Sequence, residues 1–249
     1  MIAMMGRSHL VIGTGVTLSL LSITHQEITL PVVGVAILSS ILPDIDEPNS
    51  LLVTKAIPTR LLRLLQLLLV ALAAYILVKG NSFAPWNILL SVPVAIILFM
   101  PTRTLRNICM LIIGICIALF LSSISPWNLI IGSTLIVCSL LPHRGLTHSI
   151  YGLLAWTVML FCATYTYGNS IWIAGGISYT LHLLTDSITN RGIRPIPPFK
   201  FRLKLNLMST GTWKGNIVEN ICIGLTILLV WITFFHGTNI ITFFKEWYL

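Results

Sequence analysis

The chain of 249 residues is 56% hydrophobic and only 9% charged, whereas soluble domains carry about 25% charged residues. This composition excludes an ordinary soluble domain. It predicts an all-α, polytopic transmembrane helix bundle in which residues 1–249 form one integral-membrane domain. The 15 Lys and Arg exceed the 7 Asp and Glu, but they fall in the gaps between apolar runs. We therefore expect no nucleic-acid partner, and no protein partner is indicated.

Nine apolar segments predict eight or nine membrane spans and no significant β structure. The segments cover roughly residues 10–24, 28–43, 64–79, 85–100, 107–123, 127–141, 150–166, 170–186 and 217–235. Several are near 16 residues long, short of the ~20 that cross a typical bilayer core. We expect them to extend into their flanks or to include a re-entrant pair. Residues 6–50 and 140–220 carry the motifs described below, whereas the third to fifth spans, at about 64–123, carry none.

Polar residues that can bind a metal stand at the ends of the early segments. His9 opens the first, and Pro43-Asp44-Ile45-Asp46-Glu47-Pro48 closes the second. The two prolines should hold the acids in a fixed turn. A helix C-terminus disfavours negative charge, so a bound cation is one explanation for Asp44 and Asp46. A solvated turn is the other.

The stretch His143-Arg144-Gly145-Leu146-Thr147-His148-Ser149 joins the sixth and seventh segments. Gly145 permits an unusual backbone angle that would aim both imidazoles in one direction. The planar fork of Arg144 suits a phosphate or a carboxylate, so we assign it to substrate binding. The alternative for both histidines is hydrogen bonding at the membrane interface.

The eighth segment ends in His182-Leu183-Leu184-Thr185-Asp186. A spacing of four places the imidazole and the carboxylate on one helix face. Together they suit Zn, Mn or Fe better than Mg or Ca. A structural His–Asp hydrogen bond would use the same spacing.

The longest polar gap, residues 187–216, is predicted to be a basic cytoplasmic loop. It includes Arg191 and Arg194, which we assign to substrate binding, and an alternation of apolar and basic residues. This alternation suits anionic lipid headgroups of the inner leaflet. A plain topogenic loop is the alternative.

Counting basic residues on alternate sides of nine spans gives a membrane orientation. Thirteen of the fifteen fall on the side of the N-terminus, and only Lys79 and Lys245 fall opposite. The positive-inside rule then makes the N-terminal side cytoplasmic. His9, the acids after the second segment, both histidines around Arg144 and the pair at 182 and 186 all lie on that side. His25 and His236 lie opposite and are interpreted as ordinary interfacial residues.

We therefore predict one metal centre at the cytoplasmic rim of the bilayer. Its predicted ligands are His9, Asp44, Asp46, His143, His148, His182 and Asp186. Ionisable residues inside a membrane are costly and usually functional. Zinc commonly takes about four ligands, so this set allows one or two ions, with Zn preferred and Mn or Fe as alternatives. A divalent cation there would activate water and polarise a phosphoryl group.

A short internal similarity accompanies these motifs. Gly6-Arg7-Ser8-His9 with Gly13, and Gly145-Leu146-Thr147-His148 with Gly152, both read Gly-x-Ser/Thr-His-x-x-x-Gly. Each precedes a second span that ends in a carboxylate. Two related hairpins would each supply a histidine and an aspartate, and chance similarity is the alternative.

The blocks Ser39–Ser50, His143–Ser149 and His182–Ser187 resemble the signature blocks of the YdjM family. The resemblance covers about residues 6–220. It implies a membrane-bound, metal-dependent hydrolase. It also matches His9, the Thr210-Gly211 turn and Glu219, an acid that follows the basic loop.

The sequence thus predicts a multi-pass hydrolase of the bacterial inner membrane, with Asp46 or Glu219 as general base. Because the site is expected at the interface, we expect a membrane lipid phosphoester or a lipid-linked phosphate as substrate. A metal or ion transporter is one alternative, although its ligands would lie near the bilayer midplane. A non-catalytic protein with a structural metal site is the other.

Overall fold

A computed structural model describes residues 6–48, 50–141, 145–209 and 211–235. In these ranges the α-helices are α1 (Gly6–Ile23), α2 (Leu30–Ile41), α3 (Leu51–Ala56), α4 (Thr59–Lys79), α5 (Trp86–Ile96), α6 (Thr102–Phe120), α7 (Trp127–Leu140), α8 (Ile150–Thr164), α9 (Ser170–Ile188) and α10 (Trp213–Phe235). The described part of the chain forms no β-strand, only two isolated bridges in the loop after α9. The predicted all-α class is confirmed. The nine apolar segments correspond to every helix except the short α3.

Among the described residues, four helical stretches are long and apolar enough to cross a membrane, judged by length and composition. They are Thr59–Phe83, Thr102–Phe120, Ile150–Tyr167 and Trp213–Phe235. Trp86–Phe99 and Trp127–Leu140 are apolar but shorter. The 12 residues of α2 extend only about 18 Å, against a bilayer core of about 30 Å. The count of eight or nine spans therefore stays a prediction.

A group of five helices, α1, α2, α8, α9 and α10, forms the centre of the fold. Helix α9 packs against α1, α2 and α8, and α1 packs against α2 and α10. Small residues bring these helices close together: a Cβ atom on Gly175 of α9 would collide with Leu160 Cδ1 of α8. A polar contact crosses the interface between α2 and α9, since Ser178 Oγ donates to the carbonyl oxygen of Ala36 at 2.7 Å. Close backbones and cross-helix hydrogen bonds are typical of helix packing in membranes.

The middle of the chain forms two helical hairpins, α4 with α5 and α6 with α7. In the second hairpin a Cβ atom on Gly114 would lie 2.8 Å from the carbonyl oxygen of Gly132, and the reverse distance is 2.7 Å. Only glycine permits this approach of the two backbones. Two of the four long apolar stretches, Thr59–Phe83 and Thr102–Phe120, belong to these hairpins, whereas the five-helix group contains the polar interior.

Antiparallel packing brings four polar helix ends to one end of the five-helix group. Helices α1 and α8 begin there, and α2 and α9 end there. The loop after α9 folds back over the same end, because Leu205 N–H donates to the carbonyl oxygen of Ser187 at 2.8 Å and Ile150 N–H donates to that of Pro195 at 2.9 Å. Residues far apart in sequence therefore meet at this end.

Arg106 of α6 fastens the segment between α2 and α4. Its guanidinium group is buried and donates to the carbonyl oxygens of Ile57 and Pro48, at 3.2 Å each, and to Thr59 Oγ1 at 2.7 Å. Each charge-assisted hydrogen bond of this kind contributes about 1.5–3 kcal/mol. Arg106 thus sets the position of the turn that carries the acids.

We predict that Arg106→Lys lowers the thermal unfolding midpoint of the detergent-solubilised protein by several degrees. The ammonium group of lysine cannot reproduce the planar set of hydrogen bonds that the guanidinium group makes. Arg103→Lys is the matched control on the same helix, because the Arg103 side chain is 58% exposed and makes a 3.4 Å contact with Glu47. Its midpoint should change little. Circular dichroism measures both midpoints, and equal shifts would contradict this role of Arg106.

Candidate metal centre

Three buried histidines meet at this end of the five-helix group. His9 lies in the first turn of α1, His148 in the 3₁₀ turn Leu146–His148 before α8, and His182 near the end of α9. Each is only 1% exposed. The rings of His9 and His182 stack with centroids 3.9 Å apart, and His148 meets His182 edge-on at 5.5 Å. The fold thus places three imidazoles in one water-poor site.

The protein anchors His182 and His9 through their Nδ1 atoms. His182 Nδ1 lies 2.7 Å from the carbonyl oxygen of Ser40, which can only accept, so Nδ1 carries the hydrogen. His9 Nδ1 lies 2.9 Å from Thr185 Oγ1. The Thr185 hydroxyl donates to a carbonyl oxygen of its own helix, such as that of Leu181, and therefore accepts from His9. In both neutral rings the lone pair is then on Nε2.

His148 is held in the same way. The Thr147 hydroxyl donates to Asp46 Oδ2 and lies 3.1 Å from His148 Nδ1. Because its hydrogen is already engaged, this hydroxyl accepts from the imidazole. All three rings therefore direct Nε2 inward. Orientation of a histidine through its second nitrogen is typical of metal ligands.

Two carboxylates face the three Nε2 atoms. Asp186 Oδ2 lies 3.3 Å from His148 Nε2 and 3.9 Å from His182 Nε2, and its Oδ1 lies 3.6 Å from His9 Nε2. Asp44 Oδ1 lies 3.3 Å from His148 Nε2 and 3.8 Å from His182 Nε2. The Asp186 side chain is fully buried, whereas that of Asp44 is 17% exposed. Asp44 therefore marks the opening of the site.

These donors form two overlapping sets that share His182. One set is His9, His182 and Asp186, and the other is Asp44, His148 and His182; in each, the ligand atoms lie within 4.8 Å of one another. Ligands bound to zinc at about 2.0–2.1 Å lie roughly 3.3 Å apart. The contacts of 3.3–3.9 Å seen here need to shorten by only a few tenths of an ångström.

The chemistry of the site fits a cation. Within the described residues, Nε2 of His9 and Nε2 of His182 are buried and make no hydrogen bond, which is costly for a polar atom. Asp186 lies in the last turn of α9, where the helix dipole opposes a negative charge. A divalent cation would satisfy both the nitrogen lone pairs and the carboxylates.

Two groups of the cluster, Asp44 and His148, have shifted pKa values. Burial alone would raise the pKa of Asp44, but the neighbouring imidazoles, His182 first among them, hold it well below its ordinary value. Burial would lower the pKa of His148, but hydrogen bonds to Asp186 and Asp44 raise it to about 9. A cation that binds His148 therefore competes with a proton.

Two further predicted acids lie beside the cluster. Asp46 is buried on the Nδ1 side of His148, with its Oδ2 4.0 Å from that atom. Glu219 of α10 is buried and accepts a hydrogen bond of 3.3 Å from Ser8 Oγ. From this position Asp46 is better placed to orient His148 than to bind the metal. Its role as ligand, and the role of either acid as base, stay predictions.

Four predicted residues remain. Arg191 and Arg194 are exposed on the loop after α9. His143 and Arg144 lie outside the described residues. Sequence reasoning missed two hydroxyl groups that orient the histidines. Thr147 directly precedes His148, and this neighbouring position could have indicated its role. Thr185 contacts His9, which is 176 residues away. No sequence signal links that last pair.

The comparisons with known proteins agree with the membrane character of the chain. The family described as YdjM inner membrane protein matches residues 4–244. No curated protein matches the chain, and no solved structure does.

We predict that the purified protein contains one or two equivalents of a divalent metal, and that His148→Ala and Asp186→Ala each retain less than a tenth of it. His25→Ala is the control, because His25 is exposed between α1 and α2 at the opposite end. Plasma mass spectrometry of detergent-purified protein measures the content. Wild-type metal content in both cluster variants would contradict the site.

We also predict that Thr185→Val weakens metal affinity 10–100-fold, since it removes the acceptor that orients His9. Thr180→Val is the matched control on α9, because the Thr180 hydroxyl donates to the carbonyl oxygen of Gly176 at 2.7 Å. Competition with a chromophoric chelator measures both affinities. A similar loss of metal affinity in both variants would show that the substitution disturbs helix α9 as a whole and not the orientation of His9.

Proposed function

The chain belongs to the YdjM inner membrane protein family, and on this premise we propose that it is a metal-dependent hydrolase of a lipid phosphoester or lipid-linked phosphate. The observation that carries the proposal is the convergence of three Nε2 atoms and two carboxylates in one buried cluster. Such a cluster is expensive to bury unless its charges are paired. Its position at helix ends suits a substrate whose headgroup lies at the membrane surface.

The proposed ligands of the first ion are His148, His182, Asp44 and Asp186, which are joined by contacts of 3.3–3.9 Å. His9 faces the other oxygen of Asp186, so a second ion would share that carboxylate. A set of imidazoles and carboxylates favours Zn, with Mn or Fe as alternatives. His143 is proposed as a further ligand on sequence grounds alone.

The metal supplies Lewis acidity and an activated water, and the chain supplies position and proton transfer. The Thr147 hydroxyl links His148 of the cluster to Asp46. The Ser8 hydroxyl, on the residue before His9, donates to Glu219. Asp46 and Glu219 are the proposed general bases, because a base must reach its proton directly or through one bridging group.

Binding of the phosphate is assigned to Arg144, Arg191 and Arg194. Two of these lie on the loop that is tied to the start of α8 by the hydrogen bond from Ile150 N–H to the carbonyl oxygen of Pro195. Arginine binds phosphate oxygens through two parallel hydrogen bonds. The basic alternation of the same loop would bind anionic lipid headgroups.

The proposed orientation has eight or nine spans, a cytoplasmic N-terminus and the metal centre on the cytoplasmic side. The distribution of Lys and Arg supports it, with thirteen of fifteen on the side of the N-terminus. The cluster lies on that side in this topology.

One observation favours a non-catalytic alternative. His9, His148, His182 and Asp186 are at most 1% exposed, as in a closed structural metal site with no open position. The partial exposure of Asp44 argues for access from outside. A transporter would place such ligands near the middle of broken helices, whereas these stand at helix ends.

We predict that the purified protein hydrolyses long-chain lipid phosphates, that chelation lowers turnover at least 100-fold, and that added Zn restores it. Asp44→Asn should be inactive, because it removes a charged ligand at the mouth of the site. Glu47→Gln is the control, since Glu47 pairs with the exposed Arg103 and should keep full activity. Phosphate release measures turnover, and turnover unchanged after metal removal would refute the proposal.

A further inference from the structure

An apolar pocket of about 330 Å³ lies between α7 and α8, directly beside the metal centre. Small residues leave this gap between the helices, among them Ser133 on α7 and Ala155 on α8. Leu42 and Tyr179 close its inner end and are buried. A dry cavity of about 150 Å³ already holds a benzene-sized ligand, so this pocket has room for a longer apolar group.

The polar groups on the pocket wall are turned away from its interior. The hydroxyls of Ser133 and Thr134 donate back to the carbonyl oxygen of Ile130 on their own helix, at 3.2 and 2.7 Å. The Tyr179 hydroxyl donates to the carbonyl oxygen of Thr147. A ligand that needs hydrogen-bond partners gains little in such a pocket, whereas a hydrocarbon loses nothing there.

The mouth of the pocket opens on the outer surface of the helix bundle. Its rim residues Val137, Leu146 and Tyr151 are 50%, 44% and 45% exposed. Helix α8 belongs to one of the four stretches long and apolar enough to cross a membrane. In a bilayer the opening between α7 and α8 would therefore face lipid.

The inner end of the pocket adjoins the metal centre on the Nδ1 side of His148. Thr147 lines the pocket, and its hydroxyl oxygen lies 3.1 Å from His148 Nδ1. Leu42 stands two residues before Asp44, and Tyr179 stands three residues before His182. Three elements thus contribute one residue to the pocket and another to the cluster.

We propose that this pocket binds a hydrocarbon chain of the substrate, which enters sideways from the bilayer while its phosphate group lies at the histidine–aspartate cluster. The inference rests on the proposed function and adds the means of substrate selection. A hydrocarbon chain fills the pocket with van der Waals contacts, which a phosphoester without such a chain cannot make. The pocket therefore selects phosphoesters that carry a long apolar chain over soluble ones.

The test fills the pocket from opposite walls with Ala155→Phe and Thr134→Leu. Leu154→Phe is the matched control, because Leu154 is on the same helix, is 54% exposed and is not part of the lining. The full-length protein is incubated with a single-chain alkyl phosphate that carries a photoactivatable diazirine on the chain, and labelled peptides are mapped by mass spectrometry. Metal content checks that each variant is folded.

We expect the label within residues 133–159 in the wild type and the control, and at least a tenfold loss in both filled variants with wild-type metal content. Long-chain phosphate hydrolysis should fall by a similar factor, whereas p-nitrophenyl phosphate hydrolysis should not change. Labelling elsewhere on the protein, or labelling unaffected by filling, overturns the pocket assignment. Pocket labelling without hydrolysis of either substrate refutes the proposed function and leaves the pocket assignment standing.

Discussion

The structure depends on contacts between the histidines and aspartates of two hairpins, α1 with α2 and α8 with α9. The histidine at the start of α1 faces Asp186 at the end of α9, and the histidine before α8 faces Asp44 after α2. Neither hairpin contains a complete set of donors. Charges buried to this degree are tolerated only when they are paired and hydrogen-bonded, so the pairing holds the first and last parts of the chain together. Helices α1, α2 and α9 carry residues of this arrangement, and the apolar hairpins between α2 and α8 provide surface for the lipid.

The crossed arrangement gives the short internal similarity a structural counterpart. Ser8 and Thr147 precede His9 and His148, and each hydroxyl donates to a second acid, Glu219 or Asp46. The two halves therefore repeat a hydroxyl–histidine–carboxylate order around one centre. His182 breaks the repeat, because the carbonyl oxygen of Ser40 meets it from the other hairpin. The imidazole of His182 therefore has no counterpart and belongs to both candidate ligand sets.

Much of this centre could be predicted from the sequence, because the polar residues of a membrane helix stand out against apolar neighbours. The side on which His9, Asp44 and His182 fall followed from counting Lys and Arg alone. Tertiary contacts supplied the rest. The hydrogen bond between Thr185 and His9 has no local signal, and the place of Asp46 behind Thr147 depends on how a 3₁₀ turn is oriented. The pattern of apolar segments also does not determine the number of spans, because α2 is apolar yet too short to cross a bilayer unaided.

The crossed pairing also sets the order of events during biosynthesis. Thr185, which orients His9, is separated from it by 176 residues, and Asp186 follows at once. The ribosome has therefore delivered eight of the ten described helices before the ninth can offer its side chains to the first. Until then His9 has emerged without its final partners. The candidate ligand set is consequently completed late in synthesis, once α9 has packed against α1.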